Sequence, residues 1–209
     1  MADETGNILK LTKADIRPAA ETLAKAFEDY PESVYLMPDT EKRHAYQLRM
    51  YRTLLKGALT YGEVWATSTK MEGVAVWQRI DGKSPAWGRY SFLRWWWLSL
   101  FSDKGTKKRQ REYFGYLGEF RARVAPERYW YLQVLGVNPV FQGQGFSSRL
   151  LKPMLVRSDG EQLSIYLETQ LENNIPYYEH FGFKIAAESP MPGGNIKSWA
   201  MVRYPVKTG

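Results

Sequence analysis

The apolar positions along the chain change period several times, and each change marks an element. Ile8 to Thr12 alternates and predicts a short first strand. Thr12 followed by Asp15 has the form of a capping box with Asp in place of Glu. Ile16, Ala20, Leu23 and Phe27 then fall on one helical face, which Tyr30-Pro31 closes. A second helix is predicted from about Thr40 to Leu59, burying Tyr51, Leu54, Leu55 and Ala58 and ended by Gly62. Glu63–Thr67 and Gly73–Ile80 predict two strands joined by a turn near Met71, the start of an antiparallel sheet.

Residues 83–128 break this pattern. Pro85 suits the first turn of a helix carrying Trp87, Phe92, Trp95, Trp96, Trp97 and Phe101. A basic turn, Asp103 to Lys108, leads to another helix with Tyr113, Leu117, Phe120 and Val124 on one side. This reads as a helical insertion within one domain covering 1–209. The regular pattern resumes with a strand at Tyr129–Val137, a Gly-rich turn and a helix from about Gly143 to Val156, kinked where Pro153 cannot bond the Arg149 carbonyl. A strand at Leu163–Thr169, a short helix at Ile175–Phe181 and strands near Phe183–Glu188 and Lys197–Arg203 follow. Strands interleaved with helices and hairpins predict an α/β fold with a mixed, mostly antiparallel sheet flanked by helices.

Composition narrows the chemistry. At 209 residues and 44% hydrophobic, the chain is large enough for one sizeable core. The absence of cysteine excludes disulfides, thiolate metal sites and a Cys nucleophile. His44 and His180 are far apart and lack acidic company, so no metal site is expected. The polar, acidic start Met1–Thr5 argues against a secretory signal. The longest apolar run, around Trp95–Phe101, is far short of the roughly 20 residues of a membrane span, so a cytoplasmic protein with no membrane role is expected. The net charge of +7 sits in one segment: 79–128 holds 12 Lys/Arg against 5 Asp/Glu, and the rest holds 17 of each. The tryptophans of that segment suit packing of the insertion onto the sheet. They also suit an acceptor pocket for a flat amine, or a membrane or single-strand nucleic-acid platform. The first reading is favoured and no nucleic-acid partner is expected.

The stretch from Leu135 to Ser148 carries the chemistry: a strand, a turn containing Gln142-Gly143-Gln144-Gly145, and a helix. Backbone amides left uncovered by small residues, with the positive end of a helix dipole, suit a pyrophosphate. Taken alone, Gly-x-Gly after a strand fits a tight turn equally well. It is neither a dinucleotide fingerprint, which needs a third glycine, nor a P-loop, which needs Gly-Lys-Ser/Thr.

Gln142, Gly145 and Ser147 match Gln/Arg-x-x-Gly-x-Gly/Ala, and behind them stands Val137-x-Pro139. Downstream come Leu167-Glu168-Thr169 and Asn174-Ile175-Pro176-Tyr177-Tyr178, ending in Phe181-Gly182-Phe183. These two motifs resemble the Gcn5-related N-acetyltransferase (GNAT) superfamily, and with Ala24–Pro31 and Ser198–Met201 they are similar to its puromycin N-acetyltransferase branch. The resemblance covers nearly the whole chain except 83–128. It implies acetyl-CoA as cosubstrate and direct attack of a neutral amine on the thioester, without a covalent enzyme intermediate, the oxyanion being held by a strand N–H. The implied acceptor is a small-molecule amine. A protein or peptide amine, or a non-catalytic CoA-binding module with an anionic partner, are the alternatives.

Carried over residue by residue, backbone groups of Leu135 and Val137 would bind pantetheine. Gln142, Gly143, Gln144, Gly145, Phe146, Ser147 and Ser148 would cradle the pyrophosphate, and Asn174 would lie beside the cofactor. Tyr178 matches the tyrosine that protonates the departing thiolate; its bland reading is an aromatic packed on the short helix. Ser147 replaces the usual Gly/Ala, and Leu171 stands where relatives carry Asn. The glutamate that serves the histone-acetylating branch as base falls on Tyr131 here. Glu168 is nominated as base instead, against a strand-end carboxylate bonding a backbone N–H, or water relaying the proton. A monomer or homodimer is expected.

Overall fold

The capping motif forms as the sequence implies: the amide and the hydroxyl of Thr12 both donate to Asp15 Oδ2 at 2.8 Å. They open a 3-10 turn, Lys13–Asp15, that runs into α1 (Ile16–Ala26). The computed structural model describes residues 8–82, 102–192 and 196–206, and everything below refers to these. The helix expected to follow Pro85, with its tryptophans, lies outside them. No helix among the described residues is long and apolar enough to cross a membrane.

Seven strands form one sheet in the order β1-β2-β3-β4-β5-β7-β6. They are β1 (Leu9–Lys10), β2 (Glu63–Ala66), β3 (Gly73–Asp81), β4 (Arg128–Val137), β5 (Ser164–Thr169), β6 (Lys184–Pro190) and β7 (Lys197–Arg203). Every pairing is antiparallel except β4 with β5. Five more helices follow α1: α2 (Pro31–Leu36), α3 (Thr40–Tyr61), α4 (Lys104–Val124), α5 (Phe146–Gly160) and α6 (Ile175–His180).

Strand alternation divides the core. Val74 and Val76 of β3 pack with Leu23 of α1 and Leu55 of α3, while Ala75 and Trp77 pack on the opposite face with Leu150 and Leu151 of α5. A third cluster joins Phe120 of α4 to Tyr129, Tyr131 and Tyr166.

Three sequence expectations needed revision. The first helix is not closed by Tyr30-Pro31: α1 ends at Ala26 with Phe27 as its cap, and Pro31 is the first residue of α2, where its missing N–H costs nothing. The basic turn at Asp103–Lys108 is the first turn of α4, because Asp103 caps it by accepting from the Thr106 amide at 3.0 Å and hydroxyl at 2.7 Å. The helix after the Gly-rich turn begins only at Phe146 and runs through Pro153 to Gly160.

Two tight contacts set the frame. A Cβ on Gly62 would lie 2.3 Å from the Trp77 carbonyl oxygen, so only glycine lets α3 turn directly into β2. A Cβ on Gly136 would lie 2.8 Å from carbons of both Leu23 and Phe27, which is how α1 comes close to β4.

Candidate functional site

The parallel pairing of β4 and β5 covers only Tyr129↔Ser164, Trp130↔Ile165 and Tyr131↔Tyr166. Beyond these the strands continue unpaired with each other, to Val137 and Thr169. The sheet is open there, and three cavities meet at the opening.

The first is a groove of about 380 Å³. Leu135 and Val137 form its strand wall; Gln142, Gly143, Gly145, Phe146 and Ser147 form its turn; Asn174 and Tyr178 close it from α6 and the turn before it. Of the residues grouped on sequence as cofactor-binding, Gln144 and Ser148 alone fall outside this lining.

The turn is shaped by backbone conformation. Gly143 and Gly145 have φ of +77° and +78°, and a Cβ on either would meet nothing within 4 Å. Glycine is needed there for the left-handed geometry and not for space. Asn138 Oδ1 accepts from the Val140 amide at 3.3 Å, and Gln142 Nε2 donates to the Val137 carbonyl at 3.2 Å, tying the turn to the end of β4. The first intrahelical bond of α5 runs from the Arg149 amide to the Gly145 carbonyl. The amides of Phe146, Ser147 and Ser148 precede it and have no helical carbonyl to bond. With the helix dipole behind them, they suit an anion.

A polar knot stands where the groove meets the opening. The Tyr30 and Thr169 hydroxyls are 2.9 Å apart, and Asn174 Nδ2 donates to Thr169 Oγ1 at 3.1 Å. The Gln170 amide also donates to the Tyr30 hydroxyl. Burial pushes the Tyr30 phenol up to about 12. The Tyr178 ring is buried edge-on against Phe183, and burial holds its phenol far above the ordinary tyrosine value. That hydroxyl therefore stays protonated, a donor at any working pH.

The second cavity, about 330 Å³, lies on the other side of the opening, between α2, α3, α4 and β4. Glu168 reaches it but is not free. Arg121 of α4 donates from Nε to Glu168 Oε1 at 2.9 Å and from Nη2 to Oε2 at 3.3 Å. The same guanidinium bonds the Tyr131 hydroxyl at 2.6 Å and lies over the Tyr131 ring. Both carboxylate oxygens are engaged in a forked ion pair and neither is left free to meet an acceptor amine, so the nomination of Glu168 as base loses its physical ground.

Sequence reasoning missed Glu32, whose carboxylate accepts from the Tyr113 hydroxyl. Burial raises its pKa, the Tyr113 bond lowers it, and nearby Glu168 raises it further. Arg43 holds the segment carrying Glu32 by donating to the carbonyls of Met37 at 2.9 Å and Pro38 at 3.0 Å and to Asp29 at 3.0 Å. The third cavity, about 80 Å³, joins the other two and is lined by Glu32, Gln133, Glu168, Asn174 and Tyr178 among others.

Residues 74–183 match the sequence profile of the "Acetyltransferase (GNAT) family". An uncharacterized N-acetyltransferase of Schizosaccharomyces pombe is 34% identical over 177 residues, 81% of this chain and 70% of that protein. Among solved structures, a histone acetyltransferase HPA2 and related acetyltransferase from Corynebacterium glutamicum superposes with a TM-score of 0.67 at 19% identity, covering 97% of each chain. Arylalkylamine N-acetyltransferase 2 from Aedes aegypti gives 0.65 at 11% identity, over 95% of this chain and 98% of that one. At such identities these two structures speak for the fold alone.

Proposed function

Because this chain belongs to the acetyltransferase (GNAT) family, we propose that its donor is acetyl-CoA and its acceptor the amine of a small molecule. The observation that carries this reading is the meeting of the groove and the second cavity at the β4–β5 opening, where Tyr178 stands. Acetyl-CoA supplies an activated acyl group as a thioester. Phe146, Ser147 and Ser148 offer amides to its pyrophosphate, with Gln142–Gly145 giving the backbone its curvature. The edge of β4 from Leu135 to Val137, unpaired with β5, offers amides and carbonyls to an extended amide-containing arm. Asn174 fixes the Tyr30–Thr169 knot beside that arm. Tyr178, kept protonated by burial, donates to sulfur as the thiolate leaves.

A small acceptor is favoured over a protein because the second cavity is walled by helices and, at about 330 Å³, lies near the lower end of small-molecule pockets. The test is free-thiol release with acetyl-CoA and a panel of primary amines, against peptides with free N-termini or lysines. Efficient turnover with a small amine and little with peptides is expected. Turnover with peptides alone would overturn the acceptor, and CoA affinity without turnover on any acceptor would make the chain a binding module.

A further inference from the structure

Resting on the reading of the donor groove above, we propose that the second cavity recognises a singly charged primary amine with a short apolar body, and that Glu32 and Gln133 hold its nitrogen. Glu32 pairs with the ammonium and takes its proton; the Gln133 carbonyl oxygen, Oε1, accepts from the same nitrogen.

Charge balance is the first argument. Three charged side chains line the cavity: Glu32, Glu168 and Arg121. Arg121 and Glu168 neutralise one another through two bonds. Glu32 has no cationic partner among the described residues, only the Tyr113 hydroxyl and a neighbouring like charge. A half-buried carboxylate without a counter-charge is costly to close off from water unless a cation compensates it, and the cavity leaves that place to a ligand. Met50 and Leu54 of α3 with Leu117 of α4 line the same cavity and suit an apolar body.

Gln133 supplies the second argument. In the β3–β4 ladder Val76 pairs with Val134 and Trp77 with Leu132, so Gln133 is the extra residue of a β-bulge. The bulge reverses the strand's alternation. Leu132 packs in the cluster with α5, yet Val134, two residues on, packs with α1 and α3. The inserted residue lines both the second cavity and the small one that joins it to the groove. Its Oε1 is buried and has no hydrogen-bond partner, an unusual state for a buried acceptor. Glu32 lines the same two cavities. A nitrogen between them lies on the way to Tyr178 while the apolar body remains in the larger space.

The protons balance. The ammonium gives one to Glu32, which passes it to water. As the nitrogen–acetyl bond forms and the acetyl–sulfur bond breaks, a second leaves nitrogen and reaches sulfur through Tyr178, and the third stays on the amide. The raised basicity of Glu32 suits the first step. The hydroxyls of Tyr30, Tyr46, Tyr51 and Tyr113 and the Glu168 carboxylate are the titratable groups near it.

Calorimetry tests this with 2-phenylethylammonium and its neutral counterpart 2-phenylethanol, titrated into CoA-saturated wild type, Glu32→Gln, Glu32→Asp and Gln133→Leu. Glu32→Gln should weaken the ammonium by about 30-fold or more, as for a buried charge pair losing one partner. The alcohol should change by less than about threefold, and Glu32→Asp should restore part of the ammonium affinity. Gln133→Leu should cost about threefold to tenfold, one hydrogen bond. Turnover of a weakly basic arylamine, already neutral, should suffer less in Glu32→Gln than turnover of 2-phenylethylamine. Equal losses for ammonium and alcohol, unchanged ammonium affinity in Glu32→Gln, or no ammonium binding by the wild type would overturn the proposal. Glu32-dependent binding without turnover would sink only the proposed activity. Turnover of amines whose affinity ignores Glu32 would sink only this site.

Discussion

Replacing Arg121 by Met strips the guanidinium from the most buried ion pair at the opening. Glu168 has a side chain only 4% exposed and Arg121 one that is 25% exposed, so solvent cannot take over the lost bonds. Breaking such a pair from one side typically costs about 3–5 kcal/mol. At this chain length each kcal/mol moves the melting temperature by about 2–4 °C, so a fall of roughly 6–20 °C is expected. Most of that cost is the orphaned carboxylate. The double variant Arg121→Met/Glu168→Gln should therefore be more stable than Arg121→Met alone, a coupling of about 1–3 kcal/mol between touching residues. Differential scanning calorimetry reads these quantities. A double variant no more stable than the single would refute the structural role of Glu168. Loss of turnover in Glu168→Gln at undiminished stability would return it to candidacy as the base.

Three further outcomes are expected. Tyr178→Phe should lower turnover by about 10²-fold with CoA affinity little changed, whereas Tyr177→Phe should be milder. Because burial lifts the Tyr178 phenol well above its usual value, any alkaline limb should persist in the variant; its disappearance would count against this assignment. Gly145→Glu, which forces a side chain into a φ of +78° and sets a carboxylate at the α5 N-terminus, should weaken CoA more than about tenfold by calorimetry, the worth of a charged hydrogen bond. An unchanged affinity in the folded variant would remove the pyrophosphate from this turn. Asp159→Asn should lose about 1.5–3 kcal/mol, since Arg203 at 2.7 Å and 2.8 Å holds that carboxyl below its ordinary value. The sign is that of a depressed carboxylate: the contribution is full above the unfolded value and is lost as pH falls through the folded one. Denaturant titrations of the two proteins should therefore converge in acid.

What could be read in advance follows from the range of the forces involved. The capping box at Thr12, the face of α1 and the two glycines of the turn act within a few residues, so the sequence displays them directly. The mixed, mostly antiparallel sheet was legible but its strand order was not, and the part of Leu135 and Val137 in binding was reached only through resemblance. The second cavity was not legible. α2 is six residues long, too short for a helical period, and nothing beside Glu32 in the sequence sets it apart from other carboxylates. Its surroundings come from Tyr113, 81 residues away, and Glu168 meets Arg121 across 47. The bulge at Gln133 was hidden because Tyr129 to Leu132 are buried on both faces of β4, leaving no polar alternation to slip. The lysine-rich start of α4 looked like a loop because charge density masked the Asp103–Thr106 cap.

The central claim, transfer of acetyl from acetyl-CoA to a small-molecule amine, is tested most directly by competition in one vessel. Isotopically labelled acetyl-CoA is given to the protein with equimolar small primary amines and peptides bearing free N-termini and lysines, and the products are read by mass spectrometry. The account predicts labelled acetyl on an apolar monoamine, formed in preference to any peptide. Label on the peptides with every small amine untouched would contradict it.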